Sequence, residues 1–108
     1  MRYLAWLAPL LVASLATSAH AQEIGDPVAG LAYAKQACAS CHAVLANEQL
    51  SPLPLAPTFQ AAADTRGMTA TALNVWLQTS HPTMPNIVLT ATNRDNVIAY
   101  ITSLKRKP

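Results

Sequence analysis

Two cysteines and a histidine in the spacing C-x-x-C-H are the residues of this chain best suited to chemistry. Cys38, Cys41 and His42 hold these positions, and the chain has no other cysteine. One helical turn brings both thiols to the same side, where each can bond a vinyl group of a haem. The imidazole of His42 follows directly and can bind the iron as an axial ligand. The motif therefore predicts one haem c, attached through Cys38 and Cys41.

Three other uses of the cysteines compete with haem attachment. A thioredoxin-like dithiol needs a βαβ frame, and no segment alternates convincingly as a strand. A structural zinc site usually takes four ligands in spaced pairs, which the adjacent Cys41 and His42 suit poorly. A plain disulfide in a secreted protein remains open.

The second axial ligand of such an iron decides its chemistry. Met68, Met84 and His81 are the candidates. Met84 lies before Pro85 in a proline-stiffened loop between two apolar helices, so it can reach the iron without distorting a helix. Its thioether is a soft ligand that suits ferrous iron. Met84 is therefore the predicted ligand; core filling is the usual role of a lone methionine, and an exposed loop position is expected for His81.

The N-terminus has the pattern of an export signal. A basic residue precedes an apolar stretch over 3–16, and the small-x-small pattern at 19–21 predicts cleavage before Gln22. Residues 1–21 are thus predicted to be a signal peptide, and 22–108 a single domain in the periplasm. An uncleaved membrane anchor is the alternative, because no charge interrupts the apolar stretch. Export agrees with haem attachment, which belongs to an oxidising compartment.

The charges beyond residue 21 nearly balance. The chain keeps its five acidic side chains and all seven basic ones except Arg2, for a formal net charge of +1. This balance disfavours nucleic acid as a partner and strong electrostatic steering. The basic run at 105–107 is explained by favourable charge at a helix C-terminus.

Helical periodicity dominates the mature chain, so the predicted fold class is all-α. Asp26 and Pro27 predict the start of a helix that leads into the cysteine motif. Prolines make the segment 43–57 a loop. Three more helices are predicted: a short one over 58–63, one capped by Thr69 or Thr71, and one from Thr90 to about Lys105.

The helix faces predict a thin core that a haem would complete. On the last helix, an apolar stripe is expected to be buried and the preceding polar residues to face solvent. The stripe is Val97, Ile98, Ile101 and Leu104, and the solvent-facing residues are Arg94, Asp95 and Asn96. Leu73, Trp76 and Leu77 share an apolar face of the helix before it. So small a core usually needs a cofactor or another staple, so the haem-free chain is predicted to be largely unfolded.

Together these features make the chain resemble the small class I bacterial cytochromes c over essentially all of residues 25–107. Three blocks carry the resemblance: the stretch from Gly30 through the C-x-x-C-H motif, the loop around Met84, and the last helix with Tyr100. The resemblance implies three to five helices wrapped around one covalently attached haem c. It also implies iron bound by His42 and Met84.

Further residues take roles from the same resemblance. Gly30 matches a glycine that packs against an aromatic of the last helix, here Tyr100. Pro57 matches a proline whose carbonyl accepts the Nδ1 proton of His42. Trp76 matches a position that often packs against the haem and reaches a propionate, with ordinary core packing as the alternative. Ala34 departs from the pattern, since the family commonly has a large aromatic there.

The implied function is a periplasmic electron carrier, not an enzyme, cycling one iron between the ferrous and ferric states. Its partners would be redox proteins, such as a dehydrogenase, reductase or terminal oxidase, that bind a monomer transiently. The loop over 44–55 lacks a basic collar, so docking is expected through apolar surface at Leu53, Pro54 and Leu55. The alternative is a haem c subunit that stays bound to a periplasmic dehydrogenase or oxidase.

Overall fold

A computed structural model describes residues 24–81 and 84–107, and this part of the chain forms four α-helices and no strand. The all-α prediction is therefore confirmed. None of the helices described there is long and apolar enough to cross a bilayer. The predicted signal peptide and its cleavage site lie outside the described residues. The helices are α1 (Pro27–Ala37), α2 (Phe59–Asp64), α3 (Ala70–Gln78) and α4 (Ala91–Ser103).

Every helix begins after a side chain that caps its free backbone N–H groups. Asp26 accepts a hydrogen bond from the backbone N–H of Val28, directly before α1. Thr58, Thr69 and Thr90 accept in the same way from the third residue after them. The predicted helix starts are thus confirmed, and α3 begins at the first of its two candidate threonines.

α4 is the central helix, because α1, α2 and α3 all pack against it. The closest approach is at Gly30 on α1. A Cβ at that position would overlap the main-chain carbonyl of Asn96 and lie 2.8 Å from the Cβ of Tyr100. Only a residue without a side chain fits such a crossing, so the predicted contact between Gly30 and Tyr100 is confirmed.

The hydrophobic core lies where these helices meet α4. The predicted stripe is largely buried, although Leu104 is only half-buried. α4 also buries Ala99 and Tyr100, because it is covered from more than one side. The buried members of the core are Ala34, Val44, Phe59, Ala63, Leu73, Val97, Ile98, Tyr100 and Ile101.

The prediction that Arg94, Asp95 and Asn96 face solvent is wrong, since all three are half-buried. Asn96 Oδ1 accepts a hydrogen bond of 2.8 Å from the backbone N–H of Asp26. The Nε of Arg94 donates to Asn74 Oδ1 at 2.9 Å. These polar side chains fasten α4 to the start of α1 and to α3, which is why they leave the solvent.

Helix ends differ from the prediction by a few residues. α1 stops at Ala37, before the cysteines, and α4 stops at Ser103. Beyond α4 the chain is held on α2, where Asp64 accepts hydrogen bonds from the backbone N–H of Arg106 at 2.9 Å and from its Nε at 2.8 Å. The buried side-chain amide of Gln60 adds a second link between α2 and the end of α4, because it donates to Asp64 Oδ2 and to the Leu104 carbonyl. The basic C-terminal segment therefore also has a structural role, because Arg106 holds it against α2.

Candidate cofactor site

The C-x-x-C-H motif forms a further turn directly after α1. Cys38 caps the helix by donating its N–H to the Ala34 carbonyl at 2.9 Å. The N–H groups of Cys41 and His42 then both donate to the Cys38 carbonyl, at 3.2 and 2.9 Å. This winding places Cys38, Cys41 and His42 within one compact turn. Both thiols are half-buried, and no disulfide joins them.

The Cys38 thiol is held in its uncharged form. Burial raises the pKa of Cys38 above its usual value, and the neighbouring Cys41 raises it further. Reactive dithiols work through a lowered thiol pKa, because the thiolate is the nucleophile. The environment of Cys38 therefore argues against a thioredoxin-like use of the pair.

The imidazole of His42 is oriented by the main chain of Pro57. Its Nδ1 lies 2.6 Å from the Pro57 carbonyl oxygen, which is the contact that the resemblance implied. A carbonyl can only accept, so in the neutral ring Nδ1 carries the proton and Nε2 keeps its lone pair. The ring also packs against Phe59, with centroids 5.5 Å apart and planes tilted by 52°. His42 thus presents one nitrogen that can bind a metal.

The loop after His42 is fastened at several points around that histidine. The N–H of Ala43 donates to Ser51 Oγ at 3.0 Å, and its carbonyl accepts from the N–H of Phe59 at 2.9 Å. The next carbonyl, of Val44, accepts a buried hydrogen bond of 2.5 Å from the Tyr100 hydroxyl. These bonds tie the loop to α2 and α4, so the residues around His42 cannot shift independently of the core.

Met84, Trp76 and His81 come together at a second place. All three line a cavity of about 420 Å³, while His42 lines a cavity of about 470 Å³ with the loop that follows it. Met84 is half-buried, and its N–H donates to the His81 carbonyl at 3.3 Å. Met68, in contrast, packs against the hydrophobic core. Met84 thus lies in a loop beside a cavity, whereas Met68 contacts the core.

Trp76 is not a core residue, so core packing, the alternative at this position, does not apply. Its side chain is 55 % exposed, whereas Leu73 on the same helix is buried. Its ring stacks on that of His81, with centroids 4.8 Å apart and planes within 8° of parallel. An apolar periodicity cannot distinguish an aromatic that enters the core from one that packs on a loop.

The donor set fits a covalently held haem. Two free thiols and a histidine nitrogen lie in one turn, and a soft thioether lies in a separate loop. These are the groups that attach and ligate haem c. Within the described residues, no three His, Cys, Asp or Glu side chains lie close enough together to hold a bare metal ion.

Three residues near the site escaped the sequence analysis. Phe59 packs on the His42 ring, and its place two residues after Pro57 was the available signal. Ser80 and Asn86 lie on either side of Met84 and are joined by a hydrogen bond of 3.0 Å. No local pattern marks that pair, because its geometry depends on the path of the loop.

The chain is similar to a known electron-transfer protein. The chain is 38 % identical over 96 residues to cytochrome c-552 of Bradyrhizobium diazoefficiens, which covers 89 % of this chain and 88 % of that protein. No protein-family model matches the chain, and no solved structure does. The similarity therefore extends over most of both chains.

Proposed function

This chain belongs to the cytochrome c family, and from that premise we propose that it is a periplasmic carrier of single electrons whose haem iron is bound by His42 and Met84. Its cofactor is haem c, and the protein transfers electrons and is not an enzyme. The haem supplies the redox chemistry, in which the iron takes up and releases one electron. The chain's own residues attach, orient and shield it.

The observation that carries the proposal is the hydrogen bond of 2.6 Å between His42 Nδ1 and the Pro57 carbonyl. It leaves Nε2 free for the iron, one residue from Cys41 and four from Cys38. Thioether bonds at those two thiols would hold the ring against the histidine. A metal-bound histidine that donates its other N–H to a carbonyl keeps its orientation and becomes more basic.

Met84 is the proposed second ligand. Two observations support it: Met84 lies in a loop beside a cavity, and Met68 packs into the core. Histidine and methionine together favour the ferrous state more than two histidines do, which raises the reduction potential. Because both ligands are held in place, little rearrangement accompanies the change of charge.

Export follows from the proposed cleavage of residues 1–21, which leaves 22–108 as the cytochrome domain. The pattern at 19–21 supports cleavage before Gln22. Haem is attached to such cysteines in an oxidising compartment, so a periplasmic location agrees with the motif.

Partners would dock through an apolar loop rather than a charged collar. Leu50 and Leu55 are 87 % and 83 % exposed, and Leu53 and Pro54 are exposed between them. Contiguous exposed leucines mark surfaces that other proteins cover. Electron transfer to the physiological partner should therefore depend only weakly on ionic strength, and a steep dependence would contradict this docking.

The same leucines favour a second candidate, a haem c subunit that permanently accompanies a periplasmic dehydrogenase or oxidase. An obligate interface is more apolar than a transient one. Purification from the native source on a sizing column separates the two functions. A free monomer supports the carrier, and a co-eluting enzyme subunit supports the alternative.

The ligands are tested on protein made in an export-competent host. Its mass should equal that of residues 22–108 plus one haem, and its ferric spectrum should show the far-red sulfur-to-iron band. Met84→Ala should abolish this band and open the iron to external ligands. Met68→Ala is the control that should keep the band. Colourless protein, or a band that survives Met84→Ala, would contradict the proposal.

A further inference from the structure

The stack of Trp76 on His81 joins a helix to the loop that carries Met84. Trp76 lies on the last turns of α3, and His81 lies three residues beyond the end of that helix. Nearly parallel rings at 4.8 Å make a specific contact, stronger than their buried area alone provides. Because 55 % of Trp76 is exposed, core burial does not explain its position.

α3 is a firm support for that contact. Leu73 is buried in the core, one turn before Trp76. Asn74, on the same helix, accepts the hydrogen bond from Arg94 Nε that fixes α3 to α4. The indole therefore projects from a helix that is held on two sides.

Two hydrogen bonds link residues on either side of the loop that leads from His81 to Met84 and beyond. The Ser80 hydroxyl donates to Asn86 Oδ1 at 3.0 Å, and the N–H of Met84 donates to the His81 carbonyl at 3.3 Å. Movement of His81 would therefore be transmitted to Met84. The stack is a contact that connects His81, and through it Met84, to α3.

We propose that Trp76 is a positioning residue for Met84, acting through its stack on His81 to keep the methionine at the iron. This inference rests on the proposed ligation by Met84. Without the stack, Met84 would be held less firmly and would leave the iron more often. The role differs from a contact with a haem propionate, because it requires the ring of Trp76 and not its indole N–H.

Imidazole binding to the ferric holoprotein measures how often Met84 has left the iron. Its apparent affinity is the intrinsic affinity multiplied by the fraction of molecules whose iron is free. Trp76→Leu should raise that affinity about three- to tenfold, the factor expected for loss of one aromatic pair. His81→Ala removes the other ring and should give the same increase, which provides a second measurement if one variant loads haem poorly.

Conservative variants separate stacking from other roles of Trp76. Trp76→Phe and His81→Phe keep two rings and should bind imidazole nearly as weakly as the unaltered protein. Val75→Ala alters a neighbouring side chain that is also 55 % exposed, so it is the matched control and should change nothing. If Trp76→Phe binds imidazole as tightly as Trp76→Leu does, the inference is overturned, and the indole N–H is the group that matters.

Met84→Ala gives the imidazole affinity expected when the second ligand is absent. It also separates the proposed ligation by Met84 from the proposed positioning role of Trp76. It should bind imidazole much more tightly than any stack variant. If it does and Trp76→Leu stays like the unaltered protein, the positioning role alone is wrong. If Met84→Ala leaves imidazole affinity unchanged, the ligation by Met84 is wrong and the positioning role is wrong with it.

Discussion

Gly30 of α1 lies directly against the main-chain carbonyl of Asn96 of α4. A Cβ on Gly30 would overlap that oxygen, and one on Gly25, two residues before α1, would overlap the adjacent carbonyl of Asp95. The main chain at Gly25 and Gly30 therefore contacts the main chain of α4 at two adjacent residues. The side chain of Asn96 adds to this contact by accepting the N–H of Asp26. The first and last helices are joined by their main chains and not only by apolar side chains.

Gly30→Ala should destabilise the holoprotein by about 2–3 kcal/mol, because the added methyl group forces the two helices apart. Unfolding by guanidinium, followed by circular dichroism, gives this difference. Gly67→Asn is the control: no atom lies within 4 Å of a Cβ there, and asparagine tolerates its φ of 79°. Equal stability of the Gly30→Ala and unaltered proteins would show that the crossing is not as tight as described.

Tyr100→Phe should cost about 1–3 kcal/mol of unfolding free energy, because the buried Val44 carbonyl loses its hydrogen-bond donor. The ring itself is retained, so packing changes little. Denaturant unfolding of both holoproteins measures the loss. Tyr33→Phe, on a half-buried tyrosine of α1, is the matched control and should cost less. A negligible cost for Tyr100→Phe would mean that the carbonyl finds another donor.

Asp64 should make the protein less stable in acid. The backbone N–H of Arg106 is the main cause that holds the pKa of Asp64 below its usual value of 3.8, with the Gln60 amide and the Arg106 guanidinium adding to it. A lowered folded-state pKa gives stability that is present above the unfolded pKa and is lost as the pH falls. Asp64→Asn should therefore reduce the fall in urea midpoint between neutral pH and about pH 3.

The Arg106 side chain should matter less than its backbone for this acid response. Arg106→Gln keeps the N–H that bonds to Asp64 and removes only an exposed guanidinium, and surface ion pairs contribute little. The acid-induced fall in midpoint should therefore stay close to that of the unaltered protein. A response as weak as that of Asp64→Asn would mean that the ion pair dominates.

Removal of the haem should abolish cooperative unfolding. In the described part of the chain, the helices and the loop after His42 bury a core of nine residues, while four leucines of the 45–55 loop stay exposed. So small a core offsets little of the chain's conformational entropy. The double variant Cys38→Ala, Cys41→Ala, exported without haem, should show a broad and shallow thermal transition by circular dichroism. A sharp transition at the holoprotein's midpoint would contradict this dependence on the cofactor.

Local patterns predicted much of this fold. Asp26, Thr58, Thr69 and Thr90 cap the helices as expected, because capping depends on residues within one turn. The C-x-x-C-H turn is equally local. The sequence wrongly predicts a solvent-facing Asn96 because the partner of its side chain, the N–H of Asp26, lies 70 residues away. Helical periodicity carries no information about such a partner.

The candidate site likewise contains residues that local patterns predict and contacts that they do not. The spacing of Cys38, Cys41 and His42 predicts their role, and the neighbouring prolines favour Met84 as the second ligand. The hydrogen bond from His42 to Pro57 was expected only from family resemblance, since nothing local pairs residues 15 positions apart. The stack of Trp76 on His81 was not expected at all. An apolar residue on an amphipathic helix is usually assigned to the core, and only three-dimensional structure shows which ring it meets.

The oxygen that orients His42 belongs to a peptide group, and every amino acid carries the same one. Point mutation at Pro57 cannot delete that acceptor; it can only move it by relaxing the torsion that the pyrrolidine ring restricts. Evolutionary drift at this position is consequently buffered: the imidazole's partner would outlast loss of the proline itself. Disabling it would require a rearranged loop rather than an altered side chain.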